Sequence, residues 1–164
     1  LRGELRAEPG WPGRAEAPAY PPDIEQRKTN EMIGAELGYR YVDSPVIMDI
    51  PGGPEHLFRT YEPTTWPGAR LPHVWLNDGS AMQDRLPAFG YTILRLGKTK
   101  VDTKSLSDAI AAYGAPVTTL DVPDEIAREI YGYDLLLIRP DMHVVWRGHA
   151  EPDAAEVARI ATGH

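Results

Sequence analysis

The chain has 164 residues, with 17 Lys+Arg against 24 Asp+Glu and a formal net charge of −7. That length suits about one domain with a core of its own, and the acidic balance argues against nucleic acid or an anionic membrane surface as partner. Cysteine is absent, which excludes disulfides, thiolate metal sites, CxxC redox pairs and cysteine nucleophiles.

Residues 1–72 hold 11 of the 16 prolines and 8 of the 15 glycines. They read as an extended segment with one helix, and residues 73–164 as a regular domain. Residues 1–22, with five prolines, are not expected to form regular structure. A helix is predicted over about 23–37, with Asp23 and Glu25 at its positive end and Gly38 as its stop. Short strands are predicted at 39–42 and 44–48, then a long proline- and glycine-rich connection over 51–72. Residues 73–76 read as a strand, Asn77-Asp78-Gly79 as a turn, and Ser80 as the cap of a short helix at 81–86.

Residues 91–96 form the next predicted strand. Helix 104–113 places Leu106, Ala109, Ile110 and Tyr113 on one face. Strand 116–122 leads through Pro123 into helix 124–131, where Ile126, Ala127 and Ile130 share a face. Leu135-Leu136-Leu137-Ile138 is apolar throughout and suits a central strand covered on both sides. A hairpin through Pro140-Asp141 leads to strand 142–147, and a last helix covers 153–161. The order β-α-β-α-β-α-β-β-α predicts an α/β fold: a central mixed sheet with helices on both faces and parallel crossovers, in a thioredoxin-like arrangement.

Thiol exchange cannot follow from that fold here. The stretch after strand 91–96, Gly97-Lys98-Thr99-Lys100-Val101-Asp102, has no sulfur, and Tyr133-Asp134 stand where redox members carry a cis-proline. His56, His73, His143, His149 and His164 show no metal-ligand spacing; His73 reads as structural and His143 as solvated on an edge strand. Ser44 and Ser80 lie at turns without a nucleophile motif, Asp78 and Asp84 read as helix-end charges, and Lys98, Lys100 and Lys104 as a solvated loop. No dinucleotide or phosphate-binding glycine loop is present; Gly34 and Gly38 lack the preceding strand such a loop needs. No catalytic, cofactor-binding or metal residue is therefore assigned.

Four runs resemble a known family. Leu37-Gly38-Tyr39-Arg40-Tyr41 with Ser44-Pro45-Val46 is similar to the segment leaving the substrate domain of FAD-dependent aromatic hydroxylases, the flavoprotein monooxygenases of phenols and polyketides. Tyr61-Glu62-Pro63 with Pro67-Gly68-Ala69-Arg70-Leu71-Pro72-His73 resembles that family's Pro-Gly-x-Arg-x-Pro-His run, and Asn77-Asp78-Gly79-Ser80 its small-residue turn. Ile138-Arg139-Pro140-Asp141 through Trp146-Arg147-Gly148 resembles its closing hairpin.

The resemblance implies a thioredoxin-like C-terminal region over 73–164, with 1–72 as the tail of the substrate domain. The missing flavin motifs and the start at Leu1 then suggest a piece of a longer enzyme. For that parent it implies FAD, NAD(P)H and a cytoplasmic location; for this piece it implies a structural role, with the FAD-binding and substrate domains as partners, and a homodimer. Arg70 and His73 are candidates for the seam with the flavin domain, and an exposed apolar face is expected around Trp66, Trp75 or the first helix. The competing reading is a stand-alone, non-redox thioredoxin-like interaction module.

Overall fold

Four uninterrupted aliphatic side chains, Leu135 to Ile138, need cover on both sides, and all four are buried. The computed structural model describes residues 32–48, 50–98 and 101–164. Helix α1 is Ile33–Leu37 and a 3-10 turn spans Gln83–Arg85. Then follow β1 (Tyr91–Leu96), α2 (Lys104–Ala112), β2 (Val117–Val122) and α3 (Glu125–Tyr131). The chain closes with β3 (Leu135–Ile138), β4 (Val144–Gly148) and α4 (Ala154–Thr162).

The strands form one mixed sheet in the order β2-β1-β3-β4. β1 and β2 are parallel, with Tyr91 opposite Val117. β3 runs antiparallel to both neighbours, pairing Leu94 with Leu136 and Leu136 with Arg147. The β3–β4 register shifts between Leu137 and Ile138, which brings Ile138 opposite Val144. Alternation along the strands divides the core. On one face Ile93, Leu137 and Val145 pack under Leu106 and Ile110 of α2, and under Val157, Ala158 and Ala161 of α4. On the other, Leu94, Leu96, Leu136 and Ile138 meet Ala127 and Tyr131 of α3, together with Leu71, Val74, Leu76 and Met82.

Several expectations need correction. Helix 124–131 buries Ala127 and Tyr131, not Ile126 and Ile130, which are exposed. Ala127 and Tyr131 are also spaced i, i+4, and the larger ring wins the inward position. The crossover from β2 through α3 does not give a parallel strand, because β3 runs opposite to β1. A seven-residue helix spans about 10 Å, roughly half the length of a six-residue strand, so it cannot carry the chain back to the start of the sheet.

Residues 73–76 join no sheet. The segment folds onto residues 80–82, with Leu76 N–H donating to Ser80 O and Met82 N–H to Val74 O, and only Trp75 and Ala81 form a bridge. The alternation reads the faces correctly, since Val74 and Leu76 are buried and Trp75 is exposed. Ser80 caps nothing: its hydroxyl and N–H both donate to Asp78 Oδ1. Residues 39–42 contribute a single bridge, Arg40 to Ala69, and 44–48 form a turn rather than a strand. Of helix 23–37, residues 33–37 are helical, while 23–31 lie outside the described residues. Lys100 also lies outside them.

Candidate functional site: the strap across the closing hairpin

Residues 64–73 form a strap laid over one end of the sheet. Its first anchor is Thr65, which is 4% exposed. Its hydroxyl donates to Tyr131 O at 2.8 Å and accepts from Arg147 Nη1 at 3.2 Å. Next to it the Arg147 guanidinium lies 4.5 Å from the ring centroids of both Trp66 and Tyr133. A planar cation against two aromatic faces is held by their quadrupoles and needs little water. Tyr133 also stacks on His149 at 4.9 Å. His149 Nδ1 reaches Asp134 Oδ2 at 2.9 Å, and Asp134 takes Arg128 Nε at 2.5 Å. Burial pushes the Asp134 carboxyl up, but bonds from Arg128 and His149 outweigh it and hold it below the usual value.

The strap then turns. Pro67 and Gly68 occupy the central positions of a turn closed by Ala69 N–H to Trp66 O at 2.9 Å. Gly68 has φ +88°, as the third position of a type II turn requires. A Cβ there would meet Tyr41 O at 2.3 Å. The approach is close because Tyr41 N–H donates to Gly68 O while Gly68 N–H donates to Val144 O. Beyond the turn the strap runs along the hairpin, with Val144 N–H to Ala69 O and Leu71 N–H to Met142 O. Tyr131 hydroxyl closes it by donating to Pro72 O at 2.9 Å, and burial raises that phenol's pKa.

His143 lies beneath the strap, 2% exposed, which corrects the expectation of a solvated edge histidine. The strap and residues 39–41 cover the edge of β4 that the strand order alone leaves open. Tyr39 and Tyr41 rings lie 5.2 and 4.5 Å from the imidazole. Burial lowers the His143 pKa, and Asp141 opposes that shift.

The two seam candidates diverge. Arg70 sits half-buried opposite His143. His73 is exposed, hydrogen-bonded through Nδ1 to Gln83 Oε1 at 2.7 Å and edge-on to Trp75. Thr65 and the Trp66–Arg147–Tyr133 stack escape sequence reasoning, while His143 is named by it but misplaced. The only signals were the Trp-Arg pair of the closing hairpin and the Thr-Trp ahead of Pro67.

Helix N-termini are the usual seats for a pyrophosphate. Here Asp124 caps α3, accepting from Ala127 N–H, and Asp153 caps α4, accepting from Ala155 and Glu156 N–H. Asp102 Oδ1 accepts from Lys104 N–H at the start of α2. Each of these positive helix ends carries its own carboxylate, which does not fit the pyrophosphate of FAD. Among the described residues no group of three or more His, Asp or Glu is placed to hold a metal ion.

Residues 64–163 match the family model "aromatic-ring hydroxylase, C-terminal". The chain is 34% identical over 142 residues to the FAD-dependent monooxygenase apdD of Emericella nidulans, covering 80% of this chain and 22% of that protein. It is 30% identical over 142 residues to phenol 2-monooxygenase of a Pseudomonas species, covering 74% of this chain and 23% of that protein. Among solved structures, the rebeccamycin biosynthetic enzyme RebC superposes with TM-score 0.70 at 26% identity, covering 84% of this chain and 25% of RebC. The chain thus spans about a quarter of the length of the proteins it matches. The strap, the hairpin it crosses and the sheet behind them all fall within the matched residues, and the chain belongs to the aromatic-ring hydroxylase C-terminal family.

Proposed function

We propose that the chain is the C-terminal portion of a flavin-dependent monooxygenase that hydroxylates an aromatic ring, and that its own role is structural. The observation that carries this is the strap, which binds the residues following α1 firmly to the closing hairpin. A rigid join is what a scaffold domain needs to hold its neighbours. When bound to the parent, FAD reduced by NAD(P)H would supply the oxygen-transfer chemistry, and the flavin and substrate domains would lie outside this chain. The name of one relative, phenol 2-monooxygenase, supports a phenol as the substrate class. Residues 1–72 then act as the tail of the substrate domain, and 73–164 as the C-terminal domain of a cytoplasmic enzyme. The sheet order, with β3 antiparallel to the rest and helices on both faces, supports a thioredoxin-like fold that serves as scaffold.

Exposed apolar groups suggest where the partner domains pack. Ile33, Val42, Leu57 and Phe58 are all exposed, and Gly34 is the only buried residue of α1. Its Cβ position is filled by Leu57 O, so α1 packs on the backbone of residues 57–60 and adds little to the core. A homodimer through the exposed Trp75 is a second element of this proposal.

The test has two arms. The 164-residue chain mixed with FAD and desalted is expected to emerge colourless; a stoichiometric yellow complex would overturn the scaffold role. The DNA upstream of the Leu1 codon is expected to continue in frame into a Gly-x-Gly-x-x-Gly strand–helix unit; a start codon directly upstream sinks the parent enzyme.

A further inference from the structure

Arg70 and His143 face each other across an antiparallel bridge. The flanking bonds, Leu71 N–H to Met142 O and Val144 N–H to Ala69 O, make theirs the non-hydrogen-bonded kind of pair. In such a pair the Cα atoms lie about 4.5 Å apart and both side chains leave on the same face. On that face two polar groups lack good partners. The Arg70 guanidinium donates to Met142 Sδ at 3.8 Å, a weak acceptor, and none of the ion pairs among the described residues includes it. His143 is 2% exposed, and its Nε2 has no hydrogen-bond partner.

The surrounding charges do not balance. Arg139 Nη2 pairs with Asp141 Oδ2 at 3.1 Å and lies over the Tyr41 ring. Asp141 also faces His143 Nδ1, through its backbone O at 3.1 Å and Oδ1 at 3.4 Å. Tyr39 lies within the fields of both Arg70 and Asp141. Arg139 and His143 therefore take Asp141, and Arg70 has no carboxylate partner among the described residues, in a chain whose net charge is −7. A half-buried guanidinium without an oxygen acceptor is destabilising, and its planar fork fits two oxygens of one anion.

We propose that Arg70, with His143 Nε2 as the inner wall and the Tyr39 phenol at the rim, is an oxyanion site that takes one carboxylate or phosphate group. Arg70 is the entry, since it is half-buried where His143 is closed off. His143 Nδ1 faces only acceptor oxygens and so keeps the ring proton, which leaves Nε2 bare. An anion seated on Arg70 then shares one further proton with Nε2, so binding takes up a proton. The charged and titratable groups facing the imidazole are Asp141, Arg139, Tyr39 and Tyr41. Arg70 stands opposite it across the bridge, with Tyr61 and Tyr39 in the field of that guanidinium. The site does not rest on the monooxygenase reading, because it is a property of these side chains alone.

The test is an NMR titration of the ¹⁵N-labelled chain with acetate and, separately, inorganic phosphate, following Arg70 Nε–H and the His143 imidazole. Saturable shifts at both residues are expected, with acetate binding tighter at pH 6 than at pH 8. Arg70→Met abolishes them, and Arg70→Lys weakens binding about tenfold by losing the fork. His143→Phe keeps the ring packing but removes the pH dependence. Preference for acetate assigns the ligand to an acidic side chain, and preference for phosphate to a phosphate-bearing molecule. No saturable shift at Arg70 up to about 100 mM anion, or shifts unchanged in Arg70→Met, would overturn the site. Should Arg70→Met not fold, the Arg70→Lys comparison decides.

Discussion

Arg147 does more for this domain than its charge suggests. Two aromatic faces and the Thr65 hydroxyl hold it, so removing the fork disconnects three elements at once. Arg147→Ala is expected to lower stability by about 2 kcal/mol in urea unfolding, and Arg147→Lys by about half of that, since an ammonium cannot lie flat between two rings. His143 sets a different dependence. Its pKa lies below the ordinary 6.5 when folded, so the unfolded chain binds more protons as pH falls. Stability is therefore expected to drop as pH falls from about 7 towards the folded pKa and to level off below it. In anion-free buffer this slope should vanish in His143→Phe, with urea midpoints as the readout. Asp134 acts in a more acidic window. Its carboxyl is held below 3.8, so its contribution is present above that value and is lost as pH falls through the folded pKa. The sequence showed Arg147 as a residue of the closing hairpin and Trp66 as part of an expected exposed apolar face, whereas Trp66 is half-buried against Arg147. Their meeting depends on a contact between residues 65–66 and 147 that no local pattern encodes.

Among the elements, the strap's turn is the most sensitive point. Gly68→Ala asks an L-residue to hold φ +88° and places a methyl 2.3 Å from Tyr41 O. The backbone strain alone costs about 1–3 kcal/mol. The expected result is preferential proteolysis near residues 66–70 while far-UV circular dichroism stays close to that of the parent chain. Asp124 serves two elements, accepting from Ala127 N–H at the start of α3 and from Asn77 N–H of the preceding loop. These bonds keep its pKa low. Asp124→Ala should cost about 1 kcal/mol as a lost cap, with faster amide exchange at both Ala127 and Asn77. Elements with their own periodicity were legible: the run 135–138 is buried throughout, and the stripe of α2 holds at Leu106 and Ile110, although Tyr113 of the same expected face lies past the helix end and is exposed. Residues 73–76 show where it stops. Alternation fixes which side chains turn inward, but not which backbone supplies the hydrogen bonds, and here residues 80–82 supply them. The direction of β3 was equally invisible, because it depends on the length of α3 against the strands rather than on composition.

At the scale of the described chain, exposed apolar groups lie ahead of the strap, at Ile33, Val42, Leu57 and Phe58, and beyond it, at Trp75 and Phe89, while the sheet's own faces are covered. Phe58→Ser and Val42→Ser are each expected to leave the isolated chain within about 0.5 kcal/mol of its stability, as surface changes do. In a full-length enzyme the same changes should weaken the hold between this domain and the rest, read as earlier release of the C-terminal portion under limited proteolysis.

The strap's partners also set an order in time. Thr65 bonds to a residue 66 positions later and to another 82 positions later. A ribosome making this chain has long released residues 64–72 before Tyr131, Val144 and Arg147 exist to receive them. Residues ahead of the strap that pack on the hairpin, Met48 among them through its N–H to Val145 O, wait for β4 as well. The last strand, completed near the end of synthesis, ties the strap down, and a chain that stops short of Arg147 loses the end of β4 and all of α4 together with the join.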